Sequence, residues 1–278
     1  MRSIRFLSLG MCFFVLVACS NSTPTKPPFS YDLHLCSTDE SDERAVICFH
    51  GFGGDCQMSR TVTPFFKEKA SVISFNFPDY GKRSDSLNPE ETYFGTIDEI
   101  LPALYVLKQT IIDKGFSQVC LYGFSAGAAA LINCISVLNT SIYDVELKSI
   151  GIRKKEKREI LDILQQGDIV LDTPLKSIDE LISVYGMTKE LEVIGTRYQK
   201  NGMDPIDSLK NWDNLSLNVL VHFQIPDEIV SNRDDAYFIE TIKKYNRGIT
   251  EVFIGNDSGH LLPHPSLWKH HLVNCRCF

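Results

Sequence analysis

The sequence predicts an α/β protein: a mostly parallel central sheet, flanked by helices, with an inserted helical cap. Short, continuously apolar segments of strand length alternate along the chain with longer segments of helical periodicity. This alternation is typical of parallel sheets whose two faces are both covered. The sequence GFSAG at 123–127 stands between one apolar segment and a run of small residues. A serine in that setting is typical of a sharp strand-to-helix turn that exposes a reactive side chain.

The first 18 residues are predicted to be a signal peptide rather than part of the fold. Arg2 and Arg5 precede an apolar run at 6–18, which is short for a membrane span and typical of secretory signals. The run ends in LVAC, which resembles the bacterial lipobox. That resemblance implies lipidation of Cys19 and an exported, membrane-anchored lipoprotein; an ordinary signal peptide or an uncleaved anchor is the alternative. Residues 19–30 are polar and proline-rich, as suits a tether, so the folded domain is expected at 31–278.

Apolar runs bounded by turn residues predict the strands, in chain order, at 31–36, 44–50, 71–77, 118–122, 145–152, 218–224 and 249–254. Helical periodicity predicts helices at 63–70, 96–115, 128–138 and 234–244, and one that begins near residue 265. Thr96 and Glu99 have the spacing of a capping box, whereas Pro102 would kink that helix. The charged segment at 153–215 has helical stretches at 156–164 and 178–185 and is predicted to be the inserted cap.

Charge and cysteine content narrow the class of protein. The net charge of −7 argues against nucleic-acid binding, which needs a basic face. Basic residues do cluster at 153–158; a solvated helix face is the favoured interpretation, and contact with anionic lipid is the alternative. Cysteines inside apolar elements are expected to be buried and unpaired, namely Cys48, Cys120 and Cys134. Others can pair in an oxidising compartment, with a connectivity that the sequence leaves open: Cys36, Cys56, Cys275 and Cys277.

Ser125, Asp227 and His260 each follow directly after a predicted strand. The carboxyl ends of parallel strands are where open α/β sheets place their sites. Asp257 is an alternative to Asp227 as the acid of this group. Its place three residues before His260 is more consistent with shaping the turn that carries the histidine. Asp234 and Asp235 fall in a predicted helix, too far beyond the strand.

Several short sequences occur in an order that resembles the α/β-hydrolase-fold superfamily: HGFGG at 50–54, PDYGKRSD at 78–85, GFSAG at 123–127, PDEIV at 226–230 and DSGH at 257–260. The resemblance covers roughly 31–150 and 211–275, and not the cap. It implies that Ser125 is a nucleophile, that His260 is its base and that Asp227 orients the histidine. It also implies an oxyanion hole made by the backbone N–H groups of Phe52 and Ala126.

The expected activity is that of a serine hydrolase, cleaving a carboxylic ester or thioester of a small-molecule acyl substrate through an acyl-enzyme. The alternatives are a peptidase, a lactone or carbon–carbon bond hydrolase, and a non-catalytic binding module. No cofactor is expected. A metal is not expected either, because His264, His270 and His271 lack the spacing of a zinc site. His50 is expected to brace its loop, and His222, in mid-strand, to be buried with its hydrogen bonds satisfied.

Overall fold

The computed structural model describes residues 33–38, 43–66, 70–80, 91–177, 179–180, 188–257, 259–260 and 264–274. Several predictions fall outside these ranges: the signal peptide, the lipidated Cys19, the tether, most of the helix at 178–185, and Cys275 and Cys277. Within these ranges, no helix combines the length and the apolar composition that crossing a bilayer requires.

The described residues form a seven-stranded sheet in the order β1-β3-β2-β4-β5-β6-β7. Its strands are β1 (Leu35–Ser37), β2 (Arg44–Phe49), β3 (Ser71–Phe75), β4 (Gln118–Phe124), β5 (Asp168–Asp172), β6 (Asn218–Gln224) and β7 (Thr250–Gly255). Strand β1 pairs antiparallel with β3, and every other pair is parallel. The predicted fold class is therefore confirmed.

Helices flank this sheet and leave the carboxyl ends of its six parallel strands, β2 to β7, at one edge. They are α1 (Ser59–Phe66), α2 (Ile97–Lys108), α3 (Ala126–Leu138), α4 (Asp144–Ser149), α5 (Lys154–Leu164), α6 (Thr188–Lys200), α7 (Pro205–Ser208), α8 (Asp235–Tyr245) and α9 (Pro265–Asn274). Every residue of α3 is buried, which explains why this helix consists of small and apolar residues. Helix α2 continues through Pro102 and ends in a π-helical turn, Gln109–Asp113.

The predicted strand at 145–152 is wrong, because this segment forms helix α4 instead. Val145 is 80% exposed, whereas Leu147 and Ile150 are buried. These two buried residues are three positions apart, which is the spacing of one helix face rather than of one strand face. The spacing of its buried residues therefore indicates a helix, although its apolar content resembles that of a strand.

The predicted start of the cap at residue 153 is also wrong. Strand β5 lies inside the predicted cap and pairs with β4 on one side and β6 on the other. Its sequence, DIVLD, has only a short apolar run between two acids, so it gives a weak strand signal. The helical insertion therefore follows β5, and its described helices are α6 and α7, which precede β6.

The predicted capping box of α2 does not form. The Thr96 hydroxyl donates to the carbonyl of Tyr93 at 2.6 Å instead of capping the helix. The Glu99 carboxylate turns inward and accepts from the N–H of Gly95 at 2.7 Å and from the hydroxyl of Tyr198 at 2.6 Å. A buried carboxylate needs such donors, so the tertiary contacts determine where Glu99 points.

The cysteine predictions are resolved where the structure describes them. Cys36 and Cys56 form a disulfide with a Cα–Cα distance of 5.6 Å, linking β1 to the loop after β2. The cysteines expected to be buried and unpaired are so: Cys48, Cys120 and Cys134. In the basic cluster, Lys157 pairs with Asp144 at 2.7 Å, while Arg153, Lys154, Lys155 and Arg158 are exposed. A solvated helix face therefore describes most of this cluster.

Candidate active site

Ser125 stands at the turn between β4 and α3, in a backbone conformation that non-glycine residues rarely adopt. Its φ is 54° and its ψ is −121°. Such strain persists only where the surrounding structure imposes it. Here the N–H of Ser125 donates to the carbonyl of Asp172 at 2.9 Å, and its own carbonyl accepts from the N–H of Leu175 at 3.2 Å. The end of β5 therefore holds the turn from outside.

The two glycines of GFSAG are required by close backbone contacts. A Cβ on Gly127 would lie 2.2 Å from the carbonyl oxygen of Phe49, and a Cβ on Gly123 would lie 2.6 Å from the Cα of Ala128. Neither contact can be relieved by rotating a side chain, because both involve backbone atoms. The motif thus lets α3 start directly against β2 and β4, as the sequence predicted.

The HGFGG loop after β2 lies beside this turn. Its His50 is buried, accepts from the N–H of Phe77 through Nε2 at 3.1 Å, and donates from Nδ1 to the carbonyl of Gly51 at 2.9 Å. Burial lowers the pKa of His50, in keeping with a neutral ring that makes both bonds. The N–H of Gly53 donates to the carbonyl of Tyr80 at 2.7 Å. His50 therefore braces the loop, as expected, and the loop presents Phe52.

The expected oxyanion donors, Phe52 and Ala126, lie on the two segments that meet at Ser125. A Cβ placed on Gly51, next to Phe52, would lie 3.2 Å from the Cβ of Ser125. Ala126 is the first residue of α3, where N–H groups have no acceptor within the helix. The positive end of the helix dipole at this point favours negative charge.

Asp227 and His260 are brought together across the ends of β6 and β7. The Nδ1 atom of His260 lies 2.8 Å from Oδ2 of Asp227, and both side chains are buried. The other oxygen of Asp227 accepts from the N–H groups of Ile229 and Val230 at 2.8 Å each. Burial acts to raise the pKa of Asp227, but the hydrogen bonds from His260 and these backbone groups outweigh it, so the pKa is lowered. Asp227 is therefore a carboxylate that fixes the Nδ1–H tautomer of His260.

The ring of Phe124 connects this pair to the serine turn. Its centroid lies 5.0 Å from that of His260, and Phe124 directly precedes Ser125. Among the described residues, no hydrogen bond joins the Ser125 hydroxyl to His260. Such bonds are often long before substrate is present and shorten in the reacting complex.

The rival acids have other partners. Asp257 accepts from the N–H of Ser266 at 3.1 Å and from its hydroxyl, so it shapes the turn before α9, as expected. Asp235 pairs with the buried Lys176 at 2.9 Å. Lys176 also pairs with Glu180 at 2.8 Å, and nothing in the sequence pattern had singled it out.

A second buried histidine–carboxylate cluster lies directly behind the site. Asp172 accepts from the hydroxyl of Tyr122 at 2.6 Å, from Nδ1 of His222 at 2.6 Å and from Nδ1 of His264 at 3.0 Å. The side chains of Asp172, His222 and His264 are fully buried. His264 also directs Nε2 at the carbonyl of Gly259, at 3.2 Å. Because a carbonyl only accepts, His264 donates from both nitrogens and is an imidazolium.

Charge in this cluster follows from those bonds. Burial alone would raise the pKa of Asp172, but the bonds from His222 and His264 lower it well below its usual range. Burial would lower the pKa of His264, but Asp172 and Gly259 raise it. We therefore interpret Asp172 and His264 as a buried ion pair. Beside this pair, Nε2 of His222 has no partner among the described residues. His222 was expected to be fully satisfied, and it is satisfied only at Nδ1.

Sequence spacing missed this cluster because its members come from distant parts of the chain. Ligand-type atoms of Asp172, His222 and His264 lie within 4.8 Å of one another, although their positions match no local metal motif. Asp172 had been assigned to the cap, which hid its place at a strand end. The signal that could have found it is the acid that ends DIVLD, directly after an apolar run.

Similar solved structures exist, although no family model and no curated relative matches the chain. The esterase Pf2001 of Pyrococcus furiosus is 20% identical over 87% of this chain and 85% of its own, with a TM-score of 0.56. TT1662 of Thermus thermophilus is 16% identical over 90% of this chain and 93% of its own, with a TM-score of 0.62. Esterase B of Lactobacillus rhamnosis, inhibited by a tributyrin phosphonate, is 14% identical over 87% of this chain and 84% of its own, with a TM-score of 0.55.

The chain has an α/β-hydrolase-like fold. At these identities the likeness establishes the fold alone, and function must be argued from the site. The α/β-hydrolase-like sheet places Ser125 after β4, Asp227 after β6 and His260 after β7.

Proposed function

We propose that this protein is a serine esterase that cleaves a carboxylic ester or thioester through an acyl-enzyme on Ser125. The observation that carries the proposal is the buried Asp227–His260 pair, joined at 2.8 Å, at the same sheet edge as the strained serine turn. A serine hydroxyl is a weak nucleophile until a base accepts its proton. A histidine held in one tautomer by a carboxylate is suited to accept it.

In the first half of the reaction, Oγ of Ser125 attacks the carbonyl carbon, and its proton passes to Nε2 of His260. The carbonyl oxygen becomes an oxyanion, which the N–H groups of Phe52 and Ala126 stabilise. Asp227 stabilises the imidazolium that forms. The carbon–oxygen bond to the alcohol, or the carbon–sulfur bond to the thiol, then breaks. His260 returns the proton to this leaving group, and the acyl group stays on Ser125.

In the second half, water attacks the acyl-enzyme, and His260 accepts its proton. The tetrahedral intermediate again places its charge on the same N–H groups. Collapse breaks the bond between the acyl carbon and Oγ of Ser125, and the proton on His260 returns to Oγ. The products are a carboxylic acid and an alcohol or thiol, and no cofactor takes part in these steps.

An ester is favoured over the other bonds because two of the similar structures, Pf2001 and Esterase B, are esterases. A peptidase, a lactonase or a carbon–carbon hydrolase would use the same residues, so these activities remain the alternatives. A binding module is less favoured. It would need neither the backbone strain at Ser125 nor a carboxylate that fixes the tautomer of His260.

Hydrolysis of p-nitrophenyl acetate by the purified protein tests the proposal. We expect Ser125→Ala and His260→Gln to lower kcat by a factor on the order of 10⁴ or more. The matched controls, Ser216→Ala and His270→Gln, replace the same residue types outside the site and should keep wild-type rates. Undiminished turnover in Ser125→Ala, or no turnover of any ester by the folded wild-type protein, would contradict the proposal.

The place of action is a second part of the proposal. The LVAC sequence that ends at Cys19 supports export, lipidation and a membrane-anchored position in the cell envelope, with residues 20–30 as the tether. The negative net charge of −7 favours a small-molecule acyl substrate over nucleic acid as the partner.

A further inference from the structure

A small apolar cavity lies beside the two expected oxyanion donors. Its volume is about 20 Å³, and the described residues that line it include Phe52, Ala126, Ala129, Leu175 and Tyr198. An acyl group on Ser125 whose oxyanion faces Phe52 and Ala126 must direct its chain into neighbouring space. Among the described residues, this cavity is an apolar space that touches both donors.

The volume sets the size of the group that fits. At about 20 Å³, the cavity is small. An acetyl group places only one methyl beyond its carbonyl carbon, whereas a butyryl group extends two methylenes further and would press on the walls.

A buried carboxylate holds two of the walls in place. The hydroxyl of Tyr198 donates to Glu99, lying 2.6 Å from each carboxylate oxygen, and the hydroxyl of Tyr80 donates to Oε1 at 2.8 Å. All three side chains are buried. Tyr80 follows β3, Glu99 lies on α2 and Tyr198 lies on α6. The carboxylate therefore ties three separate parts of the chain together beside the cavity.

Helix α6 is also attached to the segment before α2 by its own bonds. Arg197 donates to the carbonyls of Thr92 at 2.7 Å and Phe94 at 3.1 Å. Asn201 donates to the carbonyl of Gly95 at 2.6 Å. A Cβ on Gly95 would lie 2.9 Å from the backbone nitrogen of Tyr198. These bonds and this close backbone contact hold α6 against the segment before α2.

We propose that Tyr198, positioned by Glu99, is the specificity-determining residue that limits the acyl group to acetyl size, so that the substrates are acetyl esters or acetyl thioesters. The inference rests on the proposed function and concerns the acyl side alone. Glu99 acts through Tyr198 and Tyr80 and is a positioning residue. The helical insertion thereby limits the length of the substrate's acyl chain, although its helices carry none of the expected catalytic residues.

The test compares kcat/KM of the full-length protein on p-nitrophenyl acetate, butyrate and hexanoate. One misfitting methylene in a tight pocket is worth roughly 10–200-fold, so the wild-type protein should prefer acetate to butyrate by at least tenfold. Tyr198→Ala should bring butyrate to at least the level of acetate. Tyr198→Phe keeps the ring and loses only its bond to Glu99, so its preference for acetate should weaken without reversing.

Leu175→Ala is a second opening variant, from the loop after β5, and covers the case in which Tyr198→Ala fails to fold. Tyr237→Ala removes an exposed tyrosine on α8, 61% accessible, and should leave the profile unchanged. A wild-type protein that hydrolyses butyrate or hexanoate as well as acetate would overturn the inference and leave the esterase proposal standing. If both Tyr198→Ala and Leu175→Ala kept the wild-type preference among the three esters, the inference would also be overturned and the esterase proposal would stand. No turnover of any ester by the folded wild-type protein would overturn both.

Discussion

Replacing Glu99 by Gln should change how stability depends on pH. Burial raises the pKa of Glu99 to about 7, although hydrogen bonds from Tyr198, Gly95 and Tyr80 act to lower it. In the unfolded chain the ordinary value is about 4.5. Between these values the native state keeps a proton that the unfolded state has lost. Stability therefore falls as pH rises through this range.

The magnitude follows from the two pKa values. At roughly 1.4 kcal/mol per pKa unit, the interval from 4.5 to about 7 corresponds to about 3 kcal/mol of lost unfolding free energy. The loss is absent below pH 4.5 and complete above pH 7. A glutamine at position 99 cannot ionise, so the variant should lack this pH-dependent loss. Its pH-independent cost from altered hydrogen bonds cancels when two pH values are compared.

Urea unfolding at pH 4.5 and pH 8, followed by the fluorescence of the buried Trp212 and Trp268, measures the effect. The free energy of unfolding of the wild-type protein, minus that of Glu99→Gln, should fall by about 3 kcal/mol between the two pH values. The control Glu240→Gln replaces an exposed glutamate on α8 and should show no such change. A Glu99→Gln difference that is flat with pH, or that rises, would refute the assignment of a buried, titrating carboxyl group.

Three further outcomes are expected. Asp227→Asn should lower kcat on the order of 10³–10⁴-fold with little loss of stability. Asp172→Asn should mainly lower the free energy of unfolding, by about 3–5 kcal/mol. If kinetics and urea unfolding showed the reverse pattern, Asp172 would be the orienting acid. His264→Gln should lose more unfolding free energy at pH 6 than at pH 9. A histidine whose pKa is raised by folding stabilises the protein fully below its pKa in the unfolded chain, and less as pH rises. An equal loss at both pH values would exclude a charged His264. Cys19→Ser should abolish incorporation of radiolabelled palmitate in a bacterial host; labelling that persists would place the lipid elsewhere.

The fold was predictable because most strands are continuous apolar runs. Strands β2, β4 and β6 are buried along nearly their whole length, so hydrophobicity alone marks them. Strand β5 is equally buried, but two of its residues are acids held by tertiary partners. In the sequence these acids count as polar residues, and the local pattern gives no information about the residues that they pair with.

The candidate site was predictable where local backbone geometry imposes a residue type. Gly123 is required by a contact with the start of α3 and Gly127 by a contact with the end of β2, and Asp227 and His260 follow directly after strands. The Asp172 cluster and the Glu99–tyrosine contacts were not predictable. They join residues that are distant in the chain. Hydrogen bonds between distant residues, and contacts that line a cavity, produce no periodic pattern in the local sequence.

Covalent labelling of Ser125 tests the central claim most directly. The purified protein would be treated with an alkyl fluorophosphonate, and the modified residue would be located by mass spectrometry of proteolytic peptides. One adduct per chain is expected, on Ser125, that forms quickly in the wild-type protein and is absent in Ser125→Ala. Labelling should slow markedly in His260→Gln, because the hydroxyl then has no base. An adduct on another residue, or labelling that is undiminished in Ser125→Ala, would contradict the claim.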